Sequence, residues 1–234
     1  WRYHPERRIY EIFAEGGGNA FGVEVDSRGR IYSGHNGGDT RGFHYVQGAY
    51  YRKSWGKHGA LTNPHAYGYF PAMKNVAVER FTHQFIIYEE KELPERYQGK
   101  LWGVDVMHNN VVMSEIFPNG STFQTRDIER VVQSTDPWFR PVMITPAPDG
   151  SLYIADWHDR QVNHYRNHEG DIDHEKGRVY RVRSKGRGFT KATDIARMPL
   201  VKLIAGLDQN SRWFRRMALL ELQRRVDADQ AILA

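Results

Sequence analysis

The chain has 234 residues, of which 40% are hydrophobic and 13% aromatic, with a net charge of +5 and 0 cysteines. That length and apolar content suit one or two domains with a sizeable core. No apolar run approaches the roughly 20 residues needed to span a bilayer, and the missing cysteines exclude disulfides, a thiolate metal site and a cysteine nucleophile in this segment.

The sequence starts at Trp1 with neither an initiator Met nor a signal-peptide pattern, so a processed form or a fragment is expected. Residues 1–18 are charged and then glycine-rich (Gly16-Gly17-Gly18), an entering strand or loop. Phe21 to Asp26 alternates apolar and polar residues and turns at Ser27-Arg28-Gly29, which is a hairpin signal.

From Gly29 a short pattern returns: glycine, any residue, a branched apolar residue, an aromatic. It reads Gly29-Arg30-Ile31-Tyr32, Gly99-Lys100-Leu101-Trp102, Gly150-Ser151-Leu152-Tyr153 and Gly177-Arg178-Val179-Tyr180. A turn glycine before an apolar-aromatic pair predicts a turn feeding a strand. Arg140 to Ile144, and Gln84 to Tyr88, supply a preceding strand in the later copies. Gly29 to Gly150 accommodates about three propeller blades at roughly 40–45 residues each. Two insertions, residues 37–75 and 159–176, carry the excess length.

Near residue 188 the character changes. Pro199 to Ala205 is short and apolar and could open a helix with proline in its first turn. Ser211 to Arg225 predicts a helix, with Trp213, Met217 and Leu220 on one face, arginines on the other, and Asn210 or Ser211 as cap. The reading is thus mainly β: propeller blades over 1–188, a partial propeller needing the rest of the chain to close, then the start of an α-helical region over 189–234. The late basic cluster, including Arg178, Arg181 and Arg183, reads as a solvated outer strand face and not as a nucleic-acid surface.

Three stretches carry a resemblance: Asp136-Pro137-Trp138-Phe139-Arg140-Pro141-Val142, Pro148-Asp149-Gly150-Ser151-Leu152-Tyr153-Ile154-Ala155-Asp156-Trp157, and Gly177 to Val182. Phe81-Thr82-His83, Pro94 to Gly99, His108-Asn109-Asn110 and Asn210 to Arg216 agree with it. Together, over roughly residues 19–226, the order of these motifs resembles the large exported membrane-bound-dehydrogenase propeller proteins of planctomycete and verrucomicrobial type. Those proteins are similar to soluble quinoprotein glucose/sorbosone dehydrogenases. The resemblance implies a six-bladed propeller followed by HEAT-like helical repeats, a periplasmic or extracytoplasmic location, and oxidation of a sugar or polyol. It also implies pyrroloquinoline quinone (PQQ) and Ca2+ as cofactors, and a cytochrome c domain or other haem partner as electron acceptor. A haem c needs Cys-x-x-Cys-His, so with 0 cysteines here it would lie outside this segment.

The candidate chemistry follows from equal offsets. His35, Asp105 and Asp156 each stand six residues after their turn glycine, with His108 and His158 close behind, so they are expected at one mouth of the propeller. His108, flanked by Asn109 and Asn110 that could bind hydroxyls, is the candidate base, or else a blade-closing hydrogen-bond residue. His158 is a second catalytic candidate. Arg140, after Trp138-Phe139, could clamp a carboxylate of a quinone or an acidic sugar, or brace a carbonyl between blades. Arg140, Trp138, Asn109, Asn110 and His35 form the candidate cofactor set. Asp156 and Asp159 could hold calcium with loop oxygens, or Asp156 could cap a turn. Asp171 to Val182 lacks the glycine and glutamate of an EF-hand and is rejected as one. The histidines His158, His164, His168 and His174, and the set His35, Asn36, Asp39, Arg41 and His44, read as polar loop residues over the mouth, with metal binding as the sharper alternative. The aromatics Tyr45, Tyr50, Tyr51, Trp55, Tyr67, Tyr69 and Phe70 read as packing of the insertion onto the propeller, or as stacking on sugar rings. Two other functions stay open: a metal-assisted polysaccharide lyase or hydrolase, and a non-catalytic carbohydrate- or protein-binding scaffold.

Overall fold

The computed structural model describes residues 1–52, 68–160, 173, 175–186 and 193–233, with side chains as far as Asp227. Trp55, Tyr67, His164, His168, His174, Arg187 and Lys191 lie outside the described residues. Sixteen strands are described: β1 Arg2–His4, β2 Ile9–Glu11, β3 Glu15–Gly16, β4 Ala20–Val25, β5 Ile31–His35, β6 Thr40–Tyr45, β7 Tyr50–Tyr51, β8 Tyr69–Phe70, β9 Met73–Lys74, β10 Phe85–Ile87, β11 Leu101–Asp105, β12 Asn110–Asn119, β13 Thr122–Gln133, β14 Pro141–Pro146, β15 Leu152–Asp156 and β16 Arg178–Val182. Two α-helices, α1 Leu200–Gly206 and α2 Arg212–Leu233, complete a mainly β chain.

The recurring glycine does what its pattern predicts. Gly29, Gly99 and Gly150 have φ of +76°, +68° and +81°, a left-handed turn that L side chains resist. Each is followed two residues later by a five-residue strand, β5, β11 and β15. Every residue of β11 is buried, and β5 and β15 are buried except at Ile31, Tyr153 and Ala155.

The chain forms two compact units. The first comprises residues 1–87, 99–144 and 154–180. Its main sheet has eight strands in the order β10-β11-β12-β13-β9-β6-β5-β4. β10 to β13 is an antiparallel meander, and β4 to β6 is a second one. The short strand β9 pairs with both β13 and β6 and joins the meanders into one sheet. The outer strands β10 and β4 return to each other, where the Ile87 amide donates to Glu24 Oε1 at 3.0 Å. Inside lies a core of Tyr32, Met73, Phe85, Ile87 and Leu101, with Ile116 and Phe123 against it. A second cluster, Phe43, Ala49 and Tyr51, packs beside β7 and β8. Strands β14, β15 and β16 form a separate three-stranded sheet in that order.

The second unit comprises residues 88–98, 145–153 and 181–234. Pro199 is the N-cap of α1, and the Ser211 hydroxyl accepts from the Phe214 amide at 3.1 Å to cap α2. The two helices form a hairpin, in which a Cβ on Gly206 would lie 2.1 Å from the Phe214 ring. The buried stripe of α2 is rotated from the predicted one. Trp213, Phe214, Met217, Ala218 and Leu222 pack on Ile195 and Leu203, whereas Leu220 is exposed. Among the described residues no helix is long and apolar enough to cross a membrane.

The structure corrects the reading of the basic strand. Arg178 donates at 2.6 Å to both Asp136 and Asp156, and Arg181 pairs with Asp149. These side chains turn toward carboxylates on neighbouring turns instead of forming a solvated face.

Candidate functional site

The first unit carries a cleft of about 280 Å³. Its charged lining comprises four carboxylates, Glu79, Asp105, Asp127 and Glu129, two arginines, Arg41 and Arg130, and His108. The floor is a buried ion pair. Arg41 donates through Nε to Asp127 Oδ1 at 3.1 Å and through Nη2 to Oδ2, and through Nη1 to the Thr82 hydroxyl at 3.2 Å. Ser114 and Asn75 add donors to Asp127 Oδ1 at 2.7 and 2.8 Å. Burial pushes the Asp127 carboxyl up. The Arg41 hydrogen bonds and charge, with Ser114 and Asn75, outweigh that and hold it below the usual carboxylate range.

Above this floor the β11–β12 turn presents His108. Asp105, the last residue of β11, accepts from the amides of Met107 at 3.2 Å and His108 at 3.1 Å. Both its oxygens stand 3.0 Å from His108 Nδ1. Asn109 takes a left-handed conformation (φ +58°), and its side-chain amide donates to the Phe139 carbonyl at 2.6 Å. Asp105 is buried and His108 half-exposed. Nδ1 thus faces the Asp105 carboxylate, and Nε2 stands 3.6 Å from Glu79 Oε2. A carboxylate held against one ring nitrogen is an arrangement that orients an imidazole.

The other sequence candidates form a neighbouring cluster. Arg140 is buried, and its guanidinium donates to the carbonyls of Arg160 at 2.5 Å and Val106 at 3.5 Å. Burial lowers its pKa against the opposing pull of Asp159 and Asp156. These bonds are those of a carbonyl brace, while Nε is buried without a partner among the described residues. Asp156 Oδ1 accepts from the amides of Arg140 and His158, and Oδ2 from Arg178. Trp138 stacks on His158, with ring centroids 5.4 Å apart. Asn110 donates to the His108 carbonyl at 2.9 Å. His35 does not line the cleft; its ring meets Phe43 edge-on at 4.8 Å.

The calcium donor set that the resemblance implies is not matched at Asp156. Asp156 has both oxygens committed to N–H donors, one of them cationic, which does not suit a calcium ligand. Among the described residues no group of three or more His, Asp or Glu could hold a metal ion. The cationic donors that a carboxylate-bearing quinone needs are partly committed: Arg41 pairs with Asp127, Arg140 donates to carbonyls and Arg178 to Asp136 and Asp156. Among the described residues Arg140 Nε and Arg178 Nη2 are buried donors without a partner, and Arg130 lines the cleft. Glu79 and Asp127 were missed by sequence reasoning. Asp127 sits in an alternating polar strand that reads as solvent-facing, and Glu79 in a loop with no motif, so neither carries a local signal.

A family described as a domain of unknown function, DUF7133, matches residues 1–186. No curated protein matches the sequence. Among solved structures, the chain is similar to a Thermus thermophilus protein described as a putative oxidoreductase (glucose dehydrogenase), at TM-score 0.47 and 16% identity over 73% of this chain and 46% of that one. It is similar also to the PQQ-bound form of an aldose sugar dehydrogenase from Streptomyces coelicolor, at TM-score 0.45 and 13% identity over 73% and 45%. The chain thus spans less than half the length of either solved chain.

Proposed function

The chain belongs to the DUF7133 family, and from that premise we propose that its cleft takes a sugar or polyol, in a propeller-type dehydrogenase where His108 is the base. The observation that carries this reading is the Asp105–His108 pair, with both carboxylate oxygens 3.0 Å from Nδ1 and Nε2 beside Glu79 in the cleft lining. Oxidation of a hydroxyl needs its proton removed as hydride leaves the same carbon. His108 Nε2 receives that proton, and Asp105 supports the resulting imidazolium. Glu79 and Glu129 suit hydroxyl donors, because a carboxylate only accepts. In this reading a six-bladed propeller includes residues 1–188, a HEAT-like region begins at 189, and the protein works outside the cytoplasm. The hydride acceptor and its haem partner lie outside the described residues.

The carboxylate-rich lining disfavours the lyase alternative, since an acidic polysaccharide would meet like charge. One observation favours a second reading, a carbohydrate-binding scaffold without turnover: the commitment of Arg41, Arg140 and Arg178 to internal partners. Dye reduction separates the two. The protein is supplied with quinone, calcium, an electron-accepting dye and a panel of neutral sugars and polyols, alongside His108→Ala. Sugar-dependent reduction that drops on the order of 10²-fold or more in the variant is the expected result. Sugar binding with no reduction would leave the scaffold.

A further inference from the structure

We infer that the cleft selects substrates bearing an ammonium group beside the reacting hydroxyl, such as amino sugars or amino alcohols, and that Glu79 makes that selection. The inference rests on reading His108 as the base. His108 Nε2 is the ring nitrogen turned to the cleft, and Glu79 Oε2 lies 3.6 Å from it. A hydroxyl that reaches Nε2 therefore brings the substituents of its own and the adjacent carbon against the Glu79 carboxylate.

The carboxylate is held there by its loop. The Asn75 amide donates to the Asp39 carbonyl at 2.8 Å, and the Asn75 side chain donates to Thr125 and Asp127 and accepts from the Ala77 amide. Asp39 N donates in turn to the Val78 carbonyl at 2.8 Å. Beyond Glu79, Arg80 Nε donates to Asn36 at 3.0 Å, and Phe81 N to the Gly37 carbonyl at 3.3 Å. Phe81 itself sits at φ +79°, a conformation that an aromatic residue adopts only when its surroundings impose it. A laced loop with a strained residue two positions away thus presents an exposed carboxylate to the base. Arg41, the arginine nearest the floor, is already neutralised by Asp127, so the surplus charge facing a ligand is negative.

Calorimetric titration of the whole chain with glucosamine, glucose and glucuronate tests this without requiring turnover. Glucosamine is expected to bind about two- to fivefold tighter than glucose and glucuronate more weakly than either, the gap narrowing as salt rises. Glu79→Gln, an isosteric change at an exposed side chain, is expected to erase most of the glucosamine-to-glucose ratio. An unchanged ratio in that variant, a wild-type preference for glucose or glucuronate, or no binding of any of the three would overturn the inference. His108→Ala separates the two readings. If it loses dye reduction but keeps the binding preference, both stand. If it keeps dye reduction, the base assignment falls while the ratio still decides the role of Glu79.

Discussion

Arg41 and Asp127 stand 86 residues apart and meet through two parallel N–H···O bonds on the floor of the cleft. The pair joins β6 to β13 across the short strand β9, while Ser114 of β12 and Asn75 beside β9 fill the remaining acceptor capacity of the carboxylate. Arg41 is nearly inaccessible and Asp127 mostly so. Removing one partner of a buried pair strands the other, at a cost of about 3–5 kcal/mol. Arg41→Ala is expected to lower the urea midpoint accordingly, and Arg41→Lys, which keeps the charge but loses the fork, to fall between. Because the folded pKa of Asp127 is depressed, its contribution is present above the ordinary carboxylate value of about 3.9 and is lost as pH falls through the lower folded value. The acid limb of stability against pH is therefore expected to shrink in Arg41→Ala. An acid limb of unchanged size would place the stabilisation elsewhere.

Asp105→Asn tests the oriented base without deleting it. The asparagine oxygen can still accept the Met107 and His108 amides, so the turn should hold and the melting temperature should change by only a few degrees. The amide cannot support an imidazolium or enforce the Nδ1 proton. Turnover in dye reduction is expected to fall on the order of 10²-fold or more. Full activity in a folded Asp105→Asn protein would remove His108 from the role of base.

Asp156 offers a test of the calcium question. Millimolar calcium, with a chelator as reference, is expected to leave the melting temperature unchanged, whereas a resident ion at a hundredfold its dissociation constant would add about 2.7 kcal/mol. Arg178→Met removes the guanidinium that bridges Asp136 and Asp156. Two carboxylates then face each other without a cation, and calcium sensitivity is expected to appear in this variant alone. Calcium stabilisation of the wild type that disappears in Asp156→Ala would reverse the reading.

Local chemistry was readable and cross-strand partnership was not. The turn glycines mark β5, β11 and β15 because a positive φ is a one-residue requirement, visible in the residue type itself. Pro199 and Ser211 mark the helix starts through other one-residue traits, a fixed φ and a hydroxyl acceptor. His108 and Asp105 were legible as candidates through their short offsets from the turn glycine Gly99, and their contact through Nδ1 is what the structure adds. Glu79 and Asp127 were not, since what gives them meaning is the register of β13 against β9 and β6, fixed by residues up to 86 positions away. Arg178 shows the same limit. Its alternation with exposed neighbours says solvent, and only the positions of Asp136 and Asp156 say otherwise. Arg140 was readable as either clamp or brace; the Arg160 and Val106 carbonyls it bonds lie up to 34 positions away and carry no local signal.

Glu90 holds the start of α2 in the second unit, and its titration has a sign that can be checked. It is buried and accepts from the Trp213 amide at 2.8 Å, one of the donors that a helix N-terminus leaves unpaired. Burial pushes its carboxyl up, and the Trp213 and Ser211 hydrogen bonds and the Arg212 and Arg215 charges offset this only in part. With a raised folded pKa the native state binds more protons than the unfolded one between the ordinary glutamate value and the raised one. Stability from this group therefore falls as pH rises through that window. Glu90→Gln keeps an acceptor for Trp213 without the charge, so it is expected to be neutral or slightly stabilising at pH 7 and to flatten that slope. Glu90→Ala loses the acceptor and is expected to cost about 1–2 kcal/mol, the usual loss of a helix cap. Denaturant midpoints of the three proteins from pH 4 to 8 decide it: if Glu90→Gln proves as damaging as Glu90→Ala at neutral pH, the ionised carboxylate and not the acceptor alone is what α2 requires.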